Sequence, residues 1–278
     1  MFKNKTGVQW ERPLFVVSAG RSGSTYLTNV LNAHPDLALT HEARILQFYQ
    51  LTHHMITVPD LVTQRYGPFE LFGLIPEPYK ETFASLYLEK AIETIQDFYK
   101  IEFSGKPFHR WGEKLQWVSV LPDVLRFFPD AQFIHIIRDG RDRLASTLDW
   151  YAKQKAARPD IQESSLEYFC EYWVRINHQT AEHLSTTKNK LEIRYEALIR
   201  DRDEQLKRLF RFLEIKRTAS VDSYLEHQAD AFREVYGSSK SALDSIGRWK
   251  TDLDDEQQAQ AHALMGEALE RWGYETDR

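Results

Sequence analysis

The stretch from Leu14 to Leu31 constrains the fold more than any other. Leu14-Phe15-Val16-Val17 is a short apolar run with β-branched valines, the pattern of a buried strand. Tyr26, Leu27, Val30 and Leu31 then recur at the spacing of one helix face. Between them, Ser18-Ala19-Gly20-Arg21-Ser22-Gly23-Ser24-Thr25 holds two glycines, four hydroxyls and one arginine. Such a loop suits an anion. Glycine lets the backbone approach closely, a helix N-terminus offers unpaired N–H groups, and Arg21 adds a full positive charge. The alternative is a tight strand-to-helix turn capped by serine. The loop is not a Walker A box, because Arg21 precedes Gly23 where a lysine should follow the glycine. Nor does it contain Gly-x-Gly-x-x-Gly.

At 278 residues the chain fits one large α/β domain over residues 1–278, with 1–12 as an N-terminal arm. A net charge of −5 argues against nucleic acid or an anionic membrane as a partner. The longest apolar runs, such as Phe133–Ile137, are too short for a membrane span. Residues 1–12 lack the apolar centre of a signal peptide, and Cys170 has no second cysteine to pair with. A reducing, cytoplasmic setting is therefore expected.

Further along, Leu37–Thr40 reads as a strand followed by His41-Glu42-Ala43-Arg44. A helix is expected near 45–58. Prolines and glycines crowd a loop-rich insertion at 59–79, of the kind that shapes a substrate mouth. Phe83–Tyr99 is amphipathic. Phe108–Gly112 is a weak strand that ends at Glu113-Lys114, and Leu121–Phe128 a helix with Pro122 in its first turn. Phe133–Ile137 is the clearest strand, and Arg138-Asp139-Gly140-Arg141-Asp142 stands at its C-terminal end. Helices follow at about 141–153 and 163–186, then a strand at Leu191–Tyr195. Further helices are expected near 203–213, 218–235 and 255–271. This alternation predicts a mainly parallel sheet flanked by helices. Ligands collect at the carboxyl ends of such strands. The loop 18–25, Glu42, Lys114, Arg138 and the region after Tyr195 all fall there, and adjacent strands would gather them in one crevice.

Taken together, these residues resemble the sulfotransferase family, closest in motifs to its tyrosylprotein and carbohydrate branches. The resemblance implies a P-loop-like three-layer fold and transfer of a sulfuryl group from 3′-phosphoadenosine 5′-phosphosulfate to an acceptor hydroxyl. The implied acceptor is a peptide tyrosine, a sugar or a small molecule. Ser18–Thr25 resembles the family's 5′-phosphosulfate loop, in which Arg21, Ser22, Gly23, Ser24 and Thr25 would hold the donor. Phe133–Asp142 with Ser146 is similar to the 3′-phosphate site, in which Arg138 and Ser146 would both contact that phosphate. A dianion at this point calls for a guanidinium fork plus neutral donors. The resemblance makes Glu42 the general base, with His41 as the competing candidate, and places His41 and Arg44 on the acceptor side. It makes Lys114 the catalytic lysine beside Arg21. Tyr195, in Arg194-Tyr195-Glu196, resembles a residue flanking the adenine. Ser245-Ile246-Gly247-Arg248-Trp249-Lys250 resembles a C-terminal element that folds over the nucleotide, which brings in Lys250. No metal is expected, since no His/Cys ligand cluster is present and His53-His54 would diverge on a helix. The rival readings are a P-loop phosphotransferase and a non-catalytic nucleotide-binding protein on the same fold.

Overall fold

A computed structural model describes residues 8–43, 46, 77–158, 164–227 and 241–276. Among these residues five parallel strands form a sheet in the order β2-β3-β1-β4-β5. They are β1 (Leu14–Val17), β2 (Leu37–His41), β3 (Arg110–Leu115), β4 (Gln132–Ile137) and β5 (Lys190–Arg194). Every residue of β1 and β4 is buried, as a central strand covered on both faces requires. The alternation of side chains sends Phe15, Val17, Phe133 and Ile137 into one apolar layer and Leu14, Val16, Ile134 and Ile136 into the other.

Helices supply those two layers. On one side, α1 (Ser24–Asn32) packs with the later helices α7 (Arg202–Leu213) and α8 (Ala219–His227) over Leu14 and Val16. On the other lie α2 (Glu77–Glu102), α3 (Leu121–Phe127), α5 (Leu166–Leu184) and α10 (Asp255–Arg271). The long α4 (Gly140–Ala157) leaves the end of β4, and α6 (Tyr195–Arg200) leaves the end of β5. A short α9 (Trp249–Asp252) precedes α10.

Several elements differ from the sequence expectation. β3 runs on through Glu113, Lys114 and Leu115, so Lys114 lies inside a strand and not beyond its end. Pairing on both sides causes this: Lys114 is in register with Val16 of β1 and His41 of β2. β5 stops at Arg194, opposite the last residue of β4, and Tyr195 opens a helix instead of closing the strand. α2 begins at Glu77, within the stretch expected to be loop. The expected helix at 45–58, most of the 59–79 insertion and the end of the 218–235 helix lie outside the described residues.

Candidate active site at the carboxyl edge of the sheet

The chain leaves β1 for the edge strand β2, returns through β3, and then crosses β1 to reach β4. The strand order therefore reverses beside β1, the place where open α/β sheets gather ligands. The Ser18–Gly23 loop sits there. Ser18 Oγ donates to Ser24 Oγ at 2.9 Å and closes its base. Arg21 and Gly23 both take left-handed backbone, with φ of 69° and 85°. Gly23 caps α1, and no side chain caps that helix and no acidic residue stands in its first turn. Its leading N–H groups thus offer partial positive charge to an anion. Gly23 is also required sterically, because a Cβ there would lie 2.4 Å from the Tyr195 ring.

Cations surround the loop. Arg21 Nε donates to Ser146 Oγ at 3.2 Å, which joins the loop to α4. Burial lowers the Arg21 pKa, and Arg138 and Arg248 push it further in that direction against Asp149. Arg138 donates through Nη1 to the Arg21 carbonyl at 3.1 Å and through Nη2 to the Ser245 carbonyl. The Tyr195 ring faces the Arg138 guanidinium at 4.9 Å. Among the described residues, no carboxylate lies within ion-pair distance of Arg21 or Arg138. Ser22 Oγ and Arg138 Nε are buried without a hydrogen-bond partner among the described residues. A buried donor is costly to leave unpaired. Two such groups beside open helix N–H groups and unneutralised guanidiniums match the chemistry of a phosphorylated ligand.

A second charged pair stands one and two strands away. Lys114 Nζ lies 2.5 Å from Glu42 Oε1 and donates to Thr25 Oγ1 at 2.9 Å. Glu42 follows the last residue of β2 and takes left-handed backbone, with a φ of 54°. His41 Nε2 meets Asn29 Oδ1 at 2.9 Å. Desolvation and then Lys114 lower the His41 pKa, while Glu42 opposes them. Arg44 lies outside the described residues.

The remaining expected residues are placed as follows. Tyr195 is buried, and its hydroxyl bonds to Ser245 Oγ at 2.9 Å. The side chain of Lys250 is exposed and lies over its neighbour Trp249, with Nζ 5.5 Å from the ring. The charge-dense run after Arg138 is mostly structural. Asp139 caps α4 and takes a two-pronged bond from Arg141 at 3.0 and 2.8 Å. Asp142 accepts the backbone N–H groups of Gly247 at 2.7 Å and Trp249 at 3.0 Å. Burial pushes the Asp142 pKa up to about 6, although Arg138 and those bonds pull it down. Glu196 accepts from the Asp139 N–H and from the Tyr274 hydroxyl, and burial raises its pKa. Sequence reasoning named Asp142 and Ser245 only as members of longer motifs, without a role of their own, and did not name Arg143. Their partners are distant in the chain, and only the dense charge after Arg138 hinted that some would be buried.

A family model described as "Sulfotransferase family" matches residues 13–219. The chain is 23% identical to a protein-tyrosine sulfotransferase of Drosophila melanogaster over 78% of its own length, and it spans 40% of the length of that relative. The sulfotransferase domain from the curacin biosynthetic pathway superposes with a TM-score of 0.59 at 16% identity, covering 95% of this chain and 98% of that one. Mouse sulfotransferase SULT7A1, solved in complex with PAP, gives a TM-score of 0.56 at 18% identity over 93% of this chain and 84% of that one. These likenesses confirm the expected P-loop-like α/β fold. One continuous family match takes in the loop, Glu42, Lys114, Arg138, Ser146 and Tyr195, and the chain belongs to the sulfotransferase family.

Proposed function

We propose that the protein transfers a sulfuryl group from 3′-phosphoadenosine 5′-phosphosulfate to an acceptor hydroxyl, and that it releases 3′-phosphoadenosine 5′-phosphate (PAP). The observation that carries this reading is the order of charges along the strand ends. Glu42 follows β2, its partner Lys114 is the next-to-last residue of β3, the Arg21 loop follows β1, and Arg138 follows β4. Neighbouring strands are ~4.8 Å apart, so the row matches an extended ligand with anionic groups at two separated points.

When bound, the donor supplies an activated sulfuryl group on a phosphate leaving group. The chain's own residues do the rest. The α1 N–H groups, the Ser22 and Thr25 hydroxyls and Arg21 hold the 5′ end, and Arg138 with Ser146 holds the 3′-phosphate. Lys114 brings a cation to the side of the loop where leaving-group charge gathers, which lowers the barrier most in a water-poor site. Glu42 accepts the proton of the acceptor hydroxyl. Lys114, touching both Thr25 and Glu42, links donor and acceptor halves. His41 is the competing base, since its lowered pKa favours the neutral ring.

Labelled sulfate transferred from the donor to a panel of phenols, sugars and peptides tests this reading. Glu42→Gln should keep PAP binding and lower turnover by about 100-fold or more. If Glu42→Gln turns over normally and His41→Gln does not, His41 is the base. Tight PAP binding with no transfer to any acceptor would make the chain a nucleotide-binding protein. A cytoplasmic setting belongs to the same proposal. Among the described residues no helix is long and apolar enough to cross a membrane, and Cys170 is a buried thiol. Cell fractionation tests that part.

A further inference from the structure

Arg143 is a buried cation that the mechanism above leaves unused. It lies on the first turns of α4 with 5% of its surface exposed, and no carboxylate among the described residues lies within ion-pair distance of it. Burial lowers its pKa to about 10, so it is charged at neutral pH. Its Nε donates to the Gly20 carbonyl at 3.1 Å, and its Nη1 donates to the Phe169 carbonyl at 2.9 Å. The rings of Tyr172 and Phe169 flank the guanidinium at 5.1 and 5.9 Å. An unneutralised buried charge is expensive, and an apolar side chain would fill such a position at less cost. The fold therefore spends stability to hold two carbonyls, one of them in the anion loop.

The Gly20 carbonyl belongs to the peptide unit whose N–H is that of Arg21. A trans peptide is planar, so its N–H points away from its C=O. Fixing the Gly20 oxygen towards Arg143 turns the Arg21 N–H to the opposite side. Arg138 does the same one unit later: it binds the Arg21 carbonyl, so the Ser22 N–H is turned away from Arg138. Between the two units Arg21 takes a φ of 69°, the left-handed step that brings successive N–H groups onto one concave side. Two guanidiniums thus hold two consecutive peptide planes from behind.

Resting on the proposed function, we propose that Arg143 is a positioning residue that sets the Gly20–Arg21 peptide plane and so presents the Arg21 N–H to the sulfuryl end of the donor. PAP lacks that end, so binding and turnover should separate. Arg143→Met, similar in reach but uncharged, should lower kcat by at least about tenfold, an oxyanion-donor effect, while PAP affinity changes by less than about threefold. Arg143→Lys keeps the charge but not the fork, and it should show the same split to a smaller degree. In the ligand-free protein, the 15N–1H resonance of Arg21 should move more than that of Ser22 in both variants. Parallel loss of PAP affinity and turnover, unchanged turnover, or equal movement of the two resonances would each overturn the inference. If Arg143→Met does not fold, Arg143→Lys decides by the same criteria. The resonance measurement needs no transfer, so an absence of sulfotransferase activity in the unaltered protein would count against the proposed function and leave the peptide-plane inference to be judged separately.

Discussion

At the scale of single residues, Gly23 and Tyr195 depend on each other. The left-handed φ of Gly23 disfavours any L side chain by roughly 1–2 kcal/mol. The Tyr195 ring then occupies the space that a Cβ would need. Gly23→Ala should therefore weaken PAP binding by at least about tenfold, which titration calorimetry would read. Adding Tyr195→Ala should relieve the clash but not the backbone cost, so recovery should be partial. Full recovery would show that the backbone geometry is unimportant. Lys114 gives a different expectation, because it touches Thr25 and Glu42 together. Lys114→Ala should depress kcat more than donor affinity, and unchanged turnover would remove it from the chemistry.

At the scale of elements, the segment from Ser245 to Trp249 is tied down by groups that themselves form the site. The Ser245 carbonyl takes Arg138 Nη2, its hydroxyl meets Tyr195, and Asp142 holds the N–H groups of Gly247 and Trp249. Arg141 lies 4.1 Å from the centre of the Trp249 ring. Asp142→Asn keeps the shape but loses the charge and one acceptor. It should weaken PAP binding by roughly 1 kcal/mol, about fivefold, and speed proteolysis within 245–250. Arg138→Ala should weaken PAP more than the nucleotide without a 3′-phosphate, by roughly 1.5–3 kcal/mol. Equal losses for both nucleotides would move the 3′-phosphate elsewhere. β1, β4 and α1 were legible in the sequence because their apolar spacing is local, and the break between β1 and α1 is rich in glycine and serine. β3 was only half legible. Arg110-Trp111-Gly112-Glu113-Lys114-Leu115 carries three charged residues and is nonetheless buried along its length, a consequence of having a strand on each side. No window of sequence contains that fact. Arg143 was illegible for the same reason, since the carbonyls it holds belong to Gly20 and Phe169.

At the scale of the whole molecule, the sheet and the α5 layer are joined by a polar contact inside the core. His135 on β4 is 3% exposed, and its Nε2 pairs with Asn177 Oδ1 at 3.0 Å. Asn177 Nδ2 donates to the Trp173 carbonyl, so the amide oxygen accepts and the ring carries its proton on Nε2. Burial lowers the His135 pKa to about 4, although the bond to Asn177 opposes this. The unfolded chain takes up this proton near pH 6.5 and the folded chain only near pH 4. Between those values the unfolded state binds more protons, so folding free energy is complete above about pH 6.5 and falls on acidification. The loss through this residue should approach roughly 3 kcal/mol below pH 4. Urea titrations at several pH values would read it, and His135→Gln should flatten that slope. An unchanged slope would mean that another group controls the acid limit.

The order of the strands has one more consequence. Glu42 follows β2, which among the described residues has no strand on its outer side, while the loop and Arg138 follow β1 and β4 in the middle of the sheet. On the proposed function, the chemistry common to every turnover is thus lodged in the middle of the sheet, and the half that meets the acceptor hangs from its margin. A lineage could exchange the marginal half, and with it the range of molecules modified, while the interior half stayed as it was.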